Sequence, residues 1–139
     1  MQAVAATTAA APPPAKWMSW AGWALSVVVV LFLALDGAMK LIDVPPVRAA
    51  TGQLGWPTNL DRTLGAIEIA CLLLYAVPRT AVLGAILATG LLGGAIAAHL
   101  RVGDPLFSHT LFGVYVGLMT WGGLWLRDAR LRALMPVSG

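Results

Sequence analysis

The sequence predicts an all-α integral membrane protein, a four-helix bundle whose spans run up-down-up-down. Three observations predict it. Hydrophobic residues make up 59% of the 139-residue chain and charged residues only 11%, against about 25% charged in soluble domains. The apolar residues gather in four stretches of the length that a hydrocarbon core about 30 Å thick requires, about 20 helical residues each. The prolines and most of the charges fall in the breaks between those stretches.

Residues 1–16 form an Ala/Thr/Pro-rich lead-in that includes Ala10-Ala11-Pro12-Pro13-Pro14. It is predicted to be disordered or polyproline, because proline removes backbone donors and the stretch has little to bury. Lys16 is the one early charge, and the apolar run behind it is longer than a signal core, so the first span reads as retained.

The four-span domain covers residues 17–134, with a short tail at 135–139. The first span is 17–42. It is charge-free to Leu35, contains Val27-Val28-Val29-Val30-Leu31-Phe32-Leu33, and ends before Pro45-Pro46. The second, 60–77, is broken only by Glu68 and closed by Pro78-Arg79. The third, 80–98, is charge-free, and the brief Pro78-Arg79-Thr80 turn makes the second and third a hairpin. The fourth, 110–126, ends at Arg127-Asp128. The long connection from Asp43 to Asn59 mixes Pro45, Pro46, Gly52, Gly55 and Pro57 with Val47, Leu54 and Trp56. It suits a short re-entrant or amphipathic piece at the membrane surface.

Four spans place both termini on one side. That side holds Lys16, Arg79, Arg127, Arg130 and Arg132; the other holds Lys40, Arg48, Arg62 and Arg101. The Arg127 cluster lies next to a span end, where basic residues orient most strongly, so both termini are expected in the cytoplasm. Trp17, Trp20, Trp23, Tyr75, Trp121 and Trp125 fall on the terminal side, as interfacial anchors do.

Small residues predict where helices touch, since lipid-embedded helices associate by close backbone packing. The third span carries Gly84, Ala88, Gly90, Gly93, Gly94, Ala97 and Ala98, and the fourth has Gly113 and Gly117 at GxxxG spacing. These two spans are expected to pack on each other, or to join a homo-oligomer or a partner membrane protein.

Charge inside a membrane helix costs about 2.5–3.5 kcal/mol at its centre and points to function by default. Asp36, Lys40 and Glu68 meet that description. Asp36 and Lys40 are four apart and share a helix face. Glu68 has Asp61, Gly65, Cys71, Leu72 and Tyr75 as helical neighbours, a small-and-polar stripe that suggests an inward face. The up-down order brings these residues to the half of the bundle that also holds His99 and His109. Asp36, Lys40, Glu68, His99 and His109 are therefore the candidate lining of an intramembrane polar pocket opening away from the cytoplasm. The alternative is a purely structural network in which Lys40 neutralises a carboxylate and locks helix register.

Several classes drop out. The net charge of +3 comes from isolated basic residues without interleaved aromatics, which argues against nucleic acid. Cys71 is the one cysteine, so an internal disulfide and thioredoxin-like exchange are excluded; within its apolar run it reads as a small core residue. No Ser-His-Asp arrangement, phosphate loop or dinucleotide fingerprint is present, and two histidines without further ligands do not make a metal or haem site. The sequence therefore leans against an enzyme and predicts neither a metal nor a motif-bound cofactor.

Asp36-Gly37-Ala38-Met39-Lys40-Leu41 resembles the DoxX-like family, as do Leu64-Gly65-Ala66-Ile67-Glu68-Ile69-Ala70-Cys71 and Tyr75-Ala76-Val77-Pro78-Arg79-Thr80-Ala81. The stretches Gly84-Ala85-Ile86-Leu87 and Gly93-Gly94-Ala95-Ile96-Ala97, and the ending Trp125-Leu126-Arg127-Asp128, share the likeness. It covers about Trp20 to Leu134. The resemblance implies a four-helix membrane bundle that places charge at Asp36, Lys40 and Glu68. The wider group includes a membrane subunit associated with thiosulfate:quinone oxidoreductase, members linked to oxidative-stress complexes, and distant eukaryotic assembly chaperones or cargo receptors. Nothing in this sequence marks a thiosulfate site.

Three functions follow as expectations for a protein of the bacterial plasma (inner) membrane. The first is a binding or assembly subunit whose polar pocket holds a ligand or partner. The second is a membrane subunit of a quinone-linked oxidoreductase, a quinone being the one cofactor that carboxylates, histidines and aromatics could accommodate; Tyr75 and His99 lie toward opposite sides, which weakens that combination. The third is a proton-coupled transporter or channel with Glu68 as its protonation site. It would need an oligomer, since four helices are few for alternating access and no internal repeat is evident.

Overall fold

The computed structural model describes residues 15–135. The expected lead-in up to residue 14 and the tail beyond residue 135 lie outside the described residues. Within them the chain is all-helical, with helices α1 (Lys16–Leu41), α2 (Pro45–Gln53), α3 (Asp61–Ala76), α4 (Ala81–Val102), α5 (Phe112–Arg127) and α6 (Ala129–Leu134). A 3-10 turn at Thr58–Leu60 leads into α3, and a π-helical turn at Leu106–Thr110 leads into α5.

α1 is a long apolar helix with one narrow buried face, Gly22, Ser26, Val29, Leu33 and Gly37. Those positions repeat every three or four residues, as one stripe of a helix must. Its end is a Schellman motif: Asp43 N–H bonds the Lys40 carbonyl and Val44 N–H bonds the Met39 carbonyl. Asp43 supplies the left-handed residue at φ +58°, a conformation aspartate tolerates better than most side chains. Pro45 and Pro46 then do more than stop α1. They occupy the first turn of α2, where a missing N–H is harmless and a fixed φ is helical. The connection expected to be a surface piece is thus a nine-residue helix followed by a turn. α4 ends in the same way as α1, with Gly103 left-handed at φ +75°.

Among the described residues, α1 and α4 are the two helices long and apolar enough to cross a membrane. Only 22% and 28% of their most apolar stretches are buried, whereas the core helix of a soluble domain is mostly buried. α3 and α5 are shorter at 16 residues each, about 24 Å of helix.

Glycines set the close approaches. Gly22 of α1 lies against Gly123 and Arg127 of α5, and Gly37 of α1 against Gly65 and Ile69 of α3. Gly84 of α4 lies against the backbone of Tyr75 in α3, and Gly113 of α5 against Ile96 and Leu92 of α4. The third-span glycines divide: Gly84 packs on α3 rather than α5, while a side chain at Gly90, Gly93 or Gly94 would meet open space.

The packed core is Val29, Leu33, Leu72, Tyr75, Ala81, Ala85, Val116, Leu124 and Leu131. Tyr75 corrects the sequence reading. It is no interfacial anchor but 2% exposed, and its hydroxyl donates to the Thr120 carbonyl and pairs with Ser26 Oγ, both at 3.0 Å. A buried phenol requires such partners; Ser26 lies on the adjacent α1 and Thr120 on α5, across the bundle. α6 is a further element beyond the expected end of the fourth span. Asp128 caps it by accepting from the Arg130 and Leu131 amides, and Leu131 tucks into the core.

Candidate functional site

The core fills one half of the bundle, and a partly open cavity of about 1190 Å³ lies in the other. Asp36, Lys40, Glu68, His99 and His109 all line it. α1 contributes Phe32, Leu33, Asp36 and Lys40 from one face, α3 contributes Leu64 and Glu68, and α5 contributes Phe112 and Gly113. Along α4 the cavity is bounded by Gly90, Gly94 and Ala97, which are exposed, so it opens beside that helix.

Lys40 is the hub. Its Nζ donates to Asp36 Oδ2 at 2.5 Å and to Glu68 Oε2 at 2.7 Å. The i,i+4 spacing on α1 makes the first contact local. The second depends on the notch where Gly65 lets α3 approach Gly37 and the Lys40 Cβ. Glu68 is 2% exposed, whereas the Asp36 and Lys40 side chains are 31% and 22% exposed. Two carboxyl groups thus share one ammonium.

The histidines form a separate group on the far wall. His99 Nδ1 lies 2.6 Å from Asp104 Oδ2, and the His99 and His109 rings are 6.0 Å apart. His109 Nδ1 pairs with Ser108 Oγ at 2.8 Å on the π-helical turn, a backbone form frequent at functional sites. Neither histidine bonds the Lys40 cluster. Among the described residues no group of three or more His, Cys, Asp or Glu side chains could hold a metal ion.

α2 and the loop behind it cover the cavity, which is lined there by Val47, Ala50, Thr51 and Leu54 to Pro57. Two clamps hold this cover. Thr51 of α2 donates to Asp61 Oδ1 at the start of α3. Arg101 of α4 donates to the Leu54 carbonyl and lies 5.9 Å from the Trp56 ring. The tight turn beneath Arg101 uses Gly55 at φ +73°. Outside the spans, Arg48 bonds Asp43 through Nε at 3.1 Å and also through Nη2. That hydrogen bond holds the Asp43 carboxyl below the usual carboxylate range and raises the Arg48 guanidinium in turn.

Sequence reasoning missed Thr51, Asp61 and Arg101 as one structural device. Asp61 reads from the sequence as part of the small-and-polar stripe beside Glu68; it is fully buried, with Oδ2 unpartnered. The sequence signal was an acid in the first turn of a helix, where the macrodipole favours it, but its threonine partner lies on another element. Cys71 is buried and free.

No curated protein and no solved structure matches the chain. Family membership is nevertheless shown. The DoxX-like family matches residues 24–123, a stretch that runs from within α1 to within α5 and includes the cavity lining, and with the two apolar helices it supports an integral membrane protein. The chain belongs to the DoxX-like family.

Proposed function

We propose that this is a four-span, up-down-up-down membrane protein of the bacterial inner membrane, with both termini cytoplasmic, whose cavity binds a small amphipathic molecule. The observation that carries the reading is the cavity itself: apolar walls from four helices, with a charged trio on one side and a histidine pair on the other. Pockets that bind small molecules combine mostly apolar walls with a few convergent polar groups. Large side chains such as Val27, Val28, Leu31 and Leu35 are exposed along α1, which suits a helix facing lipid. The cavity opens beside α4, so an amphiphile would enter from the bilayer with its polar end toward Lys40 and Glu68.

Native mass spectrometry of the protein in neutral detergent tests this, comparing wild type with Gly94→Trp. A Cβ at Gly94 meets nothing within 4 Å and Gly94 lines the cavity, so the variant is expected to fold, which its melting temperature checks, and to narrow the cavity. A small amphiphile on wild type but not on the variant is the expected result. An empty wild type whose unfolding is shifted by no added amphiphile, a quinone analogue included, would overturn the reading. A bound quinone would instead favour the oxidoreductase subunit.

A further inference from the structure

The charged end of the cavity discriminates among ligand heads. We infer that it recognises a compact organic cation, such as a protonated amine, carried on an apolar chain; this rests on the binding reading above. Lys40 satisfies one oxygen of Asp36 and one of Glu68. Among the described residues, no side chain or backbone N–H donates to Asp36 Oδ1 or Glu68 Oε1. Glu68 is 2% exposed yet lines the cavity, so its unpaired oxygen can be met only from within that space.

Charge on the other walls does not compensate. The lining acids are Asp36, Glu68 and Asp104, and the lining strong bases are Lys40 and Arg101. Asp104 is engaged with His99, and Arg101 is engaged with the Leu54 carbonyl and Trp56. An uncompensated carboxylate away from water is costly unless paired. A protonated amine brings three N–H donors to the carboxyl oxygens that Lys40 leaves free, whereas a sulfate head brings none.

The neighbouring aromatics fit the same sign. Phe32 lies one turn before Asp36 on α1 and packs edge-on to Phe112 of α5, with centroids 5.2 Å apart. Both line the cavity. Aromatic faces attract cations, most strongly away from water. Gly90, Gly94 and Ala97 leave room for the chain along α4.

The test uses three probes with the same octyl chain: octylammonium, octanol and octyl sulfate. Binding to the full-length protein in neutral maltoside micelles is followed by native mass spectrometry and thermal unfolding. Gly94→Trp measures what partitions into the micelle alone. We expect octylammonium to bind wild type at least tenfold more tightly than the other two, and Glu68→Gln to bring it to parity with octanol while octanol binding persists. Asp36→Asn provides the same comparison if Glu68→Gln unfolds. Octyl sulfate or octanol binding as tightly as octylammonium, or an unchanged preference in the folded variant, would overturn the cation assignment and leave the binding cavity standing. Failure of all three probes, or equal binding to Gly94→Trp, would remove the binding reading and this inference with it.

Discussion

Lys40 of α1 donates to Glu68 of α3 at 2.7 Å across 28 residues of sequence, while the same ammonium holds Asp36 at 2.5 Å. One cation therefore joins two helices and restrains two carboxylates at the edge of a cavity. Their fates are linked.

Removing that cation leaves two neighbouring carboxylates without their shared partner. Breaking a buried pair from one side is far more damaging than replacing both members. Lys40→Met is expected to destabilise by on the order of 3 kcal/mol. The double variant Lys40→Met/Glu68→Gln should recover part of that loss. Denaturant unfolding in detergent, read as a double-mutant cycle, checks it; strict additivity would mean the two residues are not coupled.

Two glycines of α4 should respond in opposite ways. A Cβ at Gly84 would lie 2.3 Å from the Tyr75 backbone nitrogen, and a backbone cannot move aside as a side-chain tip can. Gly84→Ala is expected to cost about 1–3 kcal/mol. A Cβ at Gly94 meets nothing, so Gly94→Ala should stabilise by up to about 1 kcal/mol through helix propensity. Melting temperatures of the two variants measured side by side decide it.

Thr51→Val removes the donor to Asp61, a carboxylate with no exposure and a second oxygen already unpartnered. A buried acceptor that loses its donor costs about 1–3 kcal/mol. The damage should concentrate in the cover, because Thr51 is its buried attachment to α3. Limited proteolysis should show faster cleavage between residues 44 and 57 than in wild type, with α1 and α4 still protected.

Asp43 provides a pH signature at the α1–α2 corner. The Arg48 hydrogen bond depresses its carboxyl in the folded protein. A depressed folded pKa contributes stability that is present above the unfolded value, about 3.9, and is lost as pH falls through the folded value. The stability gap between wild type and Asp43→Asn should therefore be present at pH 6 and close below pH 4. Unfolding measured across that range tests the sign; a gap that widens in acid would contradict it.

Much of the site was legible because charge in an apolar helix is conspicuous. Asp36, Lys40 and Glu68 stand out against valines, leucines and alanines, and the i,i+4 spacing makes one pair local. His99 and His109 flank one short loop, so their nearness follows from the chain. Thr51 and Asp61 were not legible as partners. A threonine in a polar connection has many uses, and only the packing of α2 onto α3 gives it this one. Tyr75 illustrates the same limit: its position near a span end resembles an anchor's, and only Ser26 on α1 and Thr120 on α5 reveal a satisfied core phenol.

The sequence by itself determined the all-helical class, the apolar character of α1 and α4, and membership of the DoxX-like family, since composition and local periodicity act along the chain. Tertiary structure alone decided which glycines are contacts and which border a void. It also decided that α2 covers the cavity and that Lys40 reaches Glu68. The physical reason is that a side chain's worth depends on what lies across from it. Gly84 and Gly94 are the same residue in one helix, but one faces a backbone at contact distance and the other faces open space.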